Sequence, residues 1–156
     1  MFSTHNGRIS IDEVNMTPKW DKRHLGLAQY ISQWSKDPRK KVGAVITENF
    51  YVRGIGYNGF PRGIADTKAR LADQSIKLMV TIHAEVNALA AARGRGDCIY
   101  VYPCLPCAQC LSNLIQGGIK RIVTLADSVN TSSKWNPNLV LSLAEEAGIS
   151  VVYEVI

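Results

Sequence analysis

Ile82-His83-Ala84-Glu85 and Pro103-Cys104-Leu105-Pro106-Cys107 are the two stretches around which the rest of this 156-residue chain is arranged. The first offers an imidazole and, two residues later, a carboxylate. The second offers two thiols at i and i+3, a spacing that puts them one turn apart on a common helix face. One imidazole and two thiolates fill three corners of a zinc tetrahedron. Three protein ligands leave the fourth corner to a water, which separates a catalytic zinc from a closed structural one. His83, Cys104 and Cys107 are therefore the predicted ligands of one Zn2+ per chain, and Glu85 is the predicted proton carrier beside it. Each stretch follows a strand-like run and opens a predicted helix.

Working outward, the second half alternates regularly. Ile82 to Arg93 predicts a helix rich in Ala and Leu, closed by Gly94. Cys98 to Tyr102 predicts a strand, Leu105 to Gln116 a helix ended by Gly117-Gly118, and Arg121 to Ala126 a strand. Asn138 to Ala147 predicts a helix and Ile149 to Val155 a last strand. Such alternation implies parallel strands with helices on both faces. Upstream, Val42 to Ile46 and Phe50 to Tyr57 predict a hairpin turning at Glu48-Asn49. A helix is expected from Lys19, with Leu25, Leu27, Ala28, Ile31 and Trp34 on one face. It stops before Pro38, because the residue preceding a proline avoids the α region. Arg70 to Leu78 reads as a short helix or a loop. Residues 1–18 read as an arm and 19–156 as one domain. The expected fold is a three-layer α/β/α sandwich on a mixed, mostly five-stranded sheet.

Composition narrows the function classes. The formal net charge is +5, which suits an anionic small molecule such as a nucleotide. A nucleic-acid surface gathers its cations into a patch or stripe. Here they are spread out, with one dense run at Arg39-Lys40-Lys41, so no nucleic-acid partner is expected. No apolar run approaches the roughly 20 residues of a membrane span, and Met1 to Arg8 lacks the apolar core of a secretion signal. A cytoplasmic protein without a membrane partner is expected. Of the four cysteines, Cys104, Cys107 and Cys110 fall within seven positions, which points to metal chemistry and away from a disulfide framework. Cys98 and Cys110 are expected to be small buried residues. Zinc lowers the pKa of a bound water to about 7, and one nearby carboxyl can accept and return the proton that a hydrolysis moves.

H-x-E followed by P-C-x-x-C is the signature of zinc nucleobase deaminases. With these residues the chain resembles the cytidine deaminase-like superfamily, and within it the deoxycytidylate (dCMP) deaminases. Ser35-Lys36-Asp37-Pro38 with the basic residues after it, Gly56-Tyr57-Asn58-Gly59-Phe60-Pro61-Arg62-Gly63, Ile82 to Ala88 and Gly118-Ile119-Lys120 carry the resemblance, which runs from about Trp20 to the C-terminus. It implies deamination of dCMP to dUMP and ammonia, feeding thymidylate synthesis. It also implies a homo-hexamer, activated by dCTP with Mg2+ and inhibited by dTTP. The glycine-rich loop is similar to one that links substrate and effector sites, so Asn58, Gly59, Arg62 and Gly63 are effector candidates. Asn58 is a substrate candidate too, as are Ala84 and Trp135, the latter as the ring that stacks on the base in place of an aromatic missing from Asp127-Ser128-Val129-Asn130. Ser35, Lys36 and Arg39 are expected to read the phosphate, through a hydroxyl, a point charge and a bidentate fork. The alternatives are a deaminase acting on a base within nucleic acid and a non-catalytic zinc module closed by Cys110 or another fourth residue. The module has no use for a carboxylate two residues from the His.

Overall fold

A computed structural model of the protein describes residues 11–126 and 135–156. The elements, in order, are α1 (Ile11–Ser32), β1 (Gly43–Glu48), β2 (Tyr51–Tyr57), α2 (Lys68–Ala72), α3 (Gln74–Val80), α4 (Ala84–Ala92), β3 (Cys98–Tyr102), α5 (Ala108–Gln116), β4 (Arg121–Leu125), α6 (Pro137–Glu146) and β5 (Ser150–Glu154). The five strands form one sheet in the order β2-β1-β3-β4-β5. β1 runs antiparallel to both its neighbours, while β3, β4 and β5 are parallel.

Two apolar clusters cover the two faces of the sheet. On one face Leu25, Ala28 and Ile31 of α1 meet Val45, Tyr100 and Val123. On the other, Ala84, Ala88 and Ala92 of α4, Leu111 and Leu114 of α5, and Val140 and Ala144 of α6 meet Ala44, Ile46, Ile99, Val101 and Ile122. The three layers are those expected, with one correction. The helices of the parallel half all pack on a single face, and α1 alone covers the other. Alternation within a strand assigns the clusters: Val45 points to one face, Ala44 and Ile46 to the other.

The helix expected from Lys19 begins at Ile11 and carries Pro18 inside it. A proline lacks the N–H and crowds the preceding turn, which is why the sequence suggested a boundary there. Tertiary packing supplies most helix stability in proteins, and Leu25, Ala28 and Ile31, all at most 1% exposed, provide that packing here. The stretch left open between helix and loop is two short helices. Asp73 divides them, ending α2 and capping α3 by accepting from the Ser75 and Ile76 N–H groups, as short acidic side chains do at helix starts.

Two glycines bring the site-bearing helix against the sheet. A Cβ on Gly54 or Gly56 of β2 would collide with the α4 backbone at Ala88 or Ala84 respectively. Small alanines on α4 and bare glycines on β2 together allow this close approach. No described helix is long and apolar enough to cross a membrane.

Candidate active site

His83 is the residue before α4, in extended conformation, and its side chain makes no capping bond. Its ring is thus free to face the site. Two residues on, Glu85 occupies the first turn and is 4% exposed. Desolvation raises its pKa above the usual carboxylate range, against the opposing pull of its own backbone N–H and the His83 charge. Burial disfavours the charged form, so this carboxyl is poised to hold a proton.

Cys107 is the N-cap of α5. Its sulfur accepts from the Cys110 N–H at 3.4 Å. Cys110 sits in the first turn, and its Sγ lies 3.2 Å from His83 Nδ1, with Cys107 Sγ at 3.6 Å. The ligand atoms of His83, Cys107 and Cys110 lie within 4.8 Å of one another. Hydrogen bonding from the Cys110 thiol, joined by His83, pulls Cys107 down to about pKa 4 despite burial. Cys110 is pushed up by the same contact and by desolvation. The Cys107 hydrogen bond raises His83 against its own desolvation. One soft, readily deprotonated thiolate, a second thiol and an imidazole form a donor set suited to zinc.

This corrects the predicted ligand set. Cys104 is not in the group, and Cys110, expected to be a small buried residue, takes its place. The reason is local. Pro106-Cys107-Ala108-Gln109-Cys110 repeats the P-C-x-x-C pattern three residues later. Helix α5 starts at Ala108, not at Leu105. Only the second pair therefore spans a helix N-terminal turn, and Cys104 stays in the loop that follows β3. The structural-module reading needed Cys110 or another residue as a fourth ligand. Among the described residues the group has three members.

A pocket opens on these residues. Its walls hold Asp37, Arg39, Lys40, Asn58 and Lys77, together with Ala84, Glu85, Cys104 and Trp135. Trp135 stands edge-on to His83, with ring centroids 6.4 Å apart at 88°. Asp127-Ser128-Val129-Asn130, the stretch whose missing aromatic Trp135 was expected to replace, lies outside the described residues. Asn58 is 7% exposed, and its amide is committed to backbone. Oδ1 accepts from the Val42 N–H and Nδ2 donates to the Lys40 carbonyl, both at 2.9 Å.

Of the three phosphate candidates, only Arg39 lines the pocket. Ser35 is buried, and its hydroxyl donates to the Asn58 carbonyl at 2.9 Å. Lys36 points to Asp66, 2.8 Å away. Both brace the loop after α1. Gly59 pairs with Ile82 through two backbone bonds of 3.1 and 2.8 Å, which ties the glycine-rich loop to the residue before His83. Arg62 and Gly63 are exposed and lie outside the pocket wall. Spacing alone did not single out Lys40 or Lys77 as pocket residues. The Arg39-Lys40-Lys41 run was the one available signal for Lys40.

A family model described as the cytidine and deoxycytidylate deaminase zinc-binding region matches residues 18–126. The chain is 35% identical over 141 residues to an uncharacterised deaminase from the luxG 3′ region of Aliivibrio fischeri, covering 88% of this chain and 95% of that one. It is 36% identical over 126 residues to a mouse deoxycytidylate deaminase, covering 74% and 70%. With a deoxycytidylate deaminase of Mycobacterium phage D29 it shares 36% identity over 121 residues, covering 68% and 94%. Among solved structures, dCMP deaminase of the cyanophage S-TIM5, in complex with dCMP and dUMP, superposes with a TM-score of 0.67 at 21% identity, over 87% of this chain and 97% of that one. That likeness is one of fold.

Proposed function

The chain belongs to the cytidine and deoxycytidylate deaminase family, a family of zinc-dependent hydrolytic deaminases, and from that premise we propose that it converts dCMP and water to dUMP and ammonia. The observation that carries the proposal is the convergence of His83, Cys107 and Cys110 near the buried Glu85, with His83, Glu85 and Cys107 lining one pocket. The relatives from mouse and phage D29 support the choice of nucleotide.

His83, Cys107 and Cys110 would hold the zinc, which, when bound, acidifies a water to near neutrality. The remaining work falls to the chain. Glu85 takes a proton from the water that attacks C4. It returns that proton to ring N3, then takes the remaining proton from the hydroxyl now on C4 and delivers it to the amine, which departs as ammonia as the C4 carbonyl forms. A raised pKa suits this exchange, since an efficient acid–base group titrates near the working pH. Trp135 and Ala84 wall the pocket for the ring, and Arg39 faces the phosphate. Asn58 clamps the wall from β2 to the loop after α1.

The same proposal includes the family's regulation: a homo-hexamer in the cytoplasm, activated by dCTP with Mg2+ and inhibited by dTTP. Gly59, Arg62 and Gly63 carry the effector, and the pairing of Gly59 with Ile82 offers a direct mechanical link to His83.

A panel of dCMP, CMP, dCTP and deoxycytidine, followed by loss of ultraviolet absorbance, tests the reaction. dCMP is expected to be turned over with the highest kcat/KM. Preference for any other member of the panel would overturn the assignment.

A further inference from the structure

We propose that Lys40 is the specificity residue for the substrate's anionic group, held in position by the ion pair between Asp37 and Lys77. The inference rests on the dCMP reading and deepens it. Three cationic side chains other than His83 line the pocket: Arg39, Lys40 and Lys77. They are not equivalent. Lys77 is 7% exposed and spends its charge on Asp37, 2.8 Å away. The Arg39 guanidinium donates to the Gln74 carbonyl oxygen at 3.1 Å and so is partly engaged. Among the described residues no carboxylate pairs with Lys40. Its charge instead acts on the Cys104 thiol and on His83. It therefore stands at the boundary between the cationic wall and the donor group.

Its backbone is held on both sides. The Lys40 N–H donates to Asp37 Oδ1 at 3.2 Å, and its carbonyl accepts from Asn58 Nδ2 at 2.9 Å. Asp37 Oδ1 also accepts from the Arg39 N–H at 2.8 Å. One carboxylate oxygen thus organises the turn that presents Arg39 and Lys40 to the pocket. Lys77 neutralises that carboxylate. Without it, a negative charge would face the incoming anion from the same wall. Lys77 is also the only buried residue of α3, so this ion pair lies at the helix's most buried point. A phosphate monoester carries close to two negative charges at neutral pH, since its second pKa is about 6. Arg39 and Lys40, neither paired with a carboxylate among the described residues, match that charge.

The test compares the affinities of dUMP and deoxyuridine, by titration calorimetry on the zinc-loaded full chain. The wild type is expected to bind dUMP more tightly. Lys40→Ala should shrink that preference about ten- to hundredfold, the worth of one charge-assisted hydrogen bond. Lys40→Arg should retain most of it. Lys77→Met should narrow the preference by a smaller factor while raising KM for dCMP more than it lowers kcat. A purely structural lysine at position 77 would weaken both ligands alike. Lys40→Ala with an undiminished preference for dUMP would overturn the assignment and leave the dCMP reading standing. A wild type with no preference for dUMP would overturn both.

Discussion

Two buried polar clusters lie on opposite faces of the same sheet. On the α1 face, Asp21 accepts from Arg121 at 2.7 and 2.5 Å and from the Tyr100 hydroxyl at 3.0 Å. On the α4 face, Glu85 is buried beside His83, Cys107 and Cys110. Both contain a carboxylate shielded from water. Asp21, 2% exposed, has a guanidinium on both oxygens. Among the described residues Glu85 has no cationic partner of that kind, and desolvation raises its pKa. A buried charge that is paired and hydrogen-bonded holds structure together. A buried carboxyl without such a partner, next to converging soft ligands, is a place where a proton and a metal are handled.

Glu85→Gln breaks the comparison most sharply. It should keep fold and zinc while losing turnover by about 10²–10⁴-fold, the usual worth of a general acid–base group. Zinc analysis alongside a rate assay checks both parts, and near-normal turnover in the zinc-loaded variant would refute the role. The paired thiol variants come next. Cys110→Ala should lose zinc and with it activity, whereas Cys104→Ala should keep one zinc per chain. The reverse pattern of metal content would restore the ligand set suggested by the first P-C-x-x-C.

On the other face, Arg121→Met leaves Asp21 buried and unpaired. Breaking a buried pair costs about 3–5 kcal/mol. The Arg121 side chain is 23% exposed, so the lower end applies. About 3 kcal/mol corresponds to roughly 6–12 °C in Tm for a chain of this size. Thermal unfolding should show that loss, with zinc content and kcat of the folded protein preserved at low temperature. A collapse of kcat without a fall in Tm would contradict the division of labour between the two faces.

The smallest effect concerns His24, which is 5% exposed, packs on Trp20 and Tyr100, and has no hydrogen-bond partner for Nδ1. Desolvation lowers its pKa from 6.5, outweighing the nearby Asp21 charge. Below pH 6.5 the unfolded chain takes up a proton that the folded chain resists. Stability therefore declines as pH falls from about 6.5 toward the folded pKa, then levels. His24→Gln should flatten that segment of a stability–pH profile measured by urea unfolding. An unchanged slope would place the titration elsewhere.

Much of the fold was legible because its signals are local. The run from Cys98 to Tyr102 is bounded by a glycine turn and a proline, and the strand occupies those residues. Gly94 and Gly117-Gly118 mark helix ends because helices commonly close on a residue in the left-handed region, which glycine enters freely. The His-x-Glu spacing placed His83 and Glu85 together because both lie within a single turn, where spacing alone sets geometry.

What the sequence could not decide was a choice between near-identical local patterns. Cys104-x-x-Cys107 and Cys107-x-x-Cys110 have the same spacing and the same preceding proline. Which pair meets His83 depends on where α5 begins against the sheet, a question of packing on Leu111 and Leu114. The cations posed the same problem. Lys36, Arg39, Lys40 and Lys77 are all basic, but only tertiary structure assigns Lys36 to Asp66 and Lys77 to Asp37, leaving Arg39 and Lys40 to face the pocket. Residue type and spacing determined the chemistry available to this protein. The contacts between distant segments decided which residues are free to perform it, because a charge or thiol already satisfied by a neighbour is withdrawn from the site.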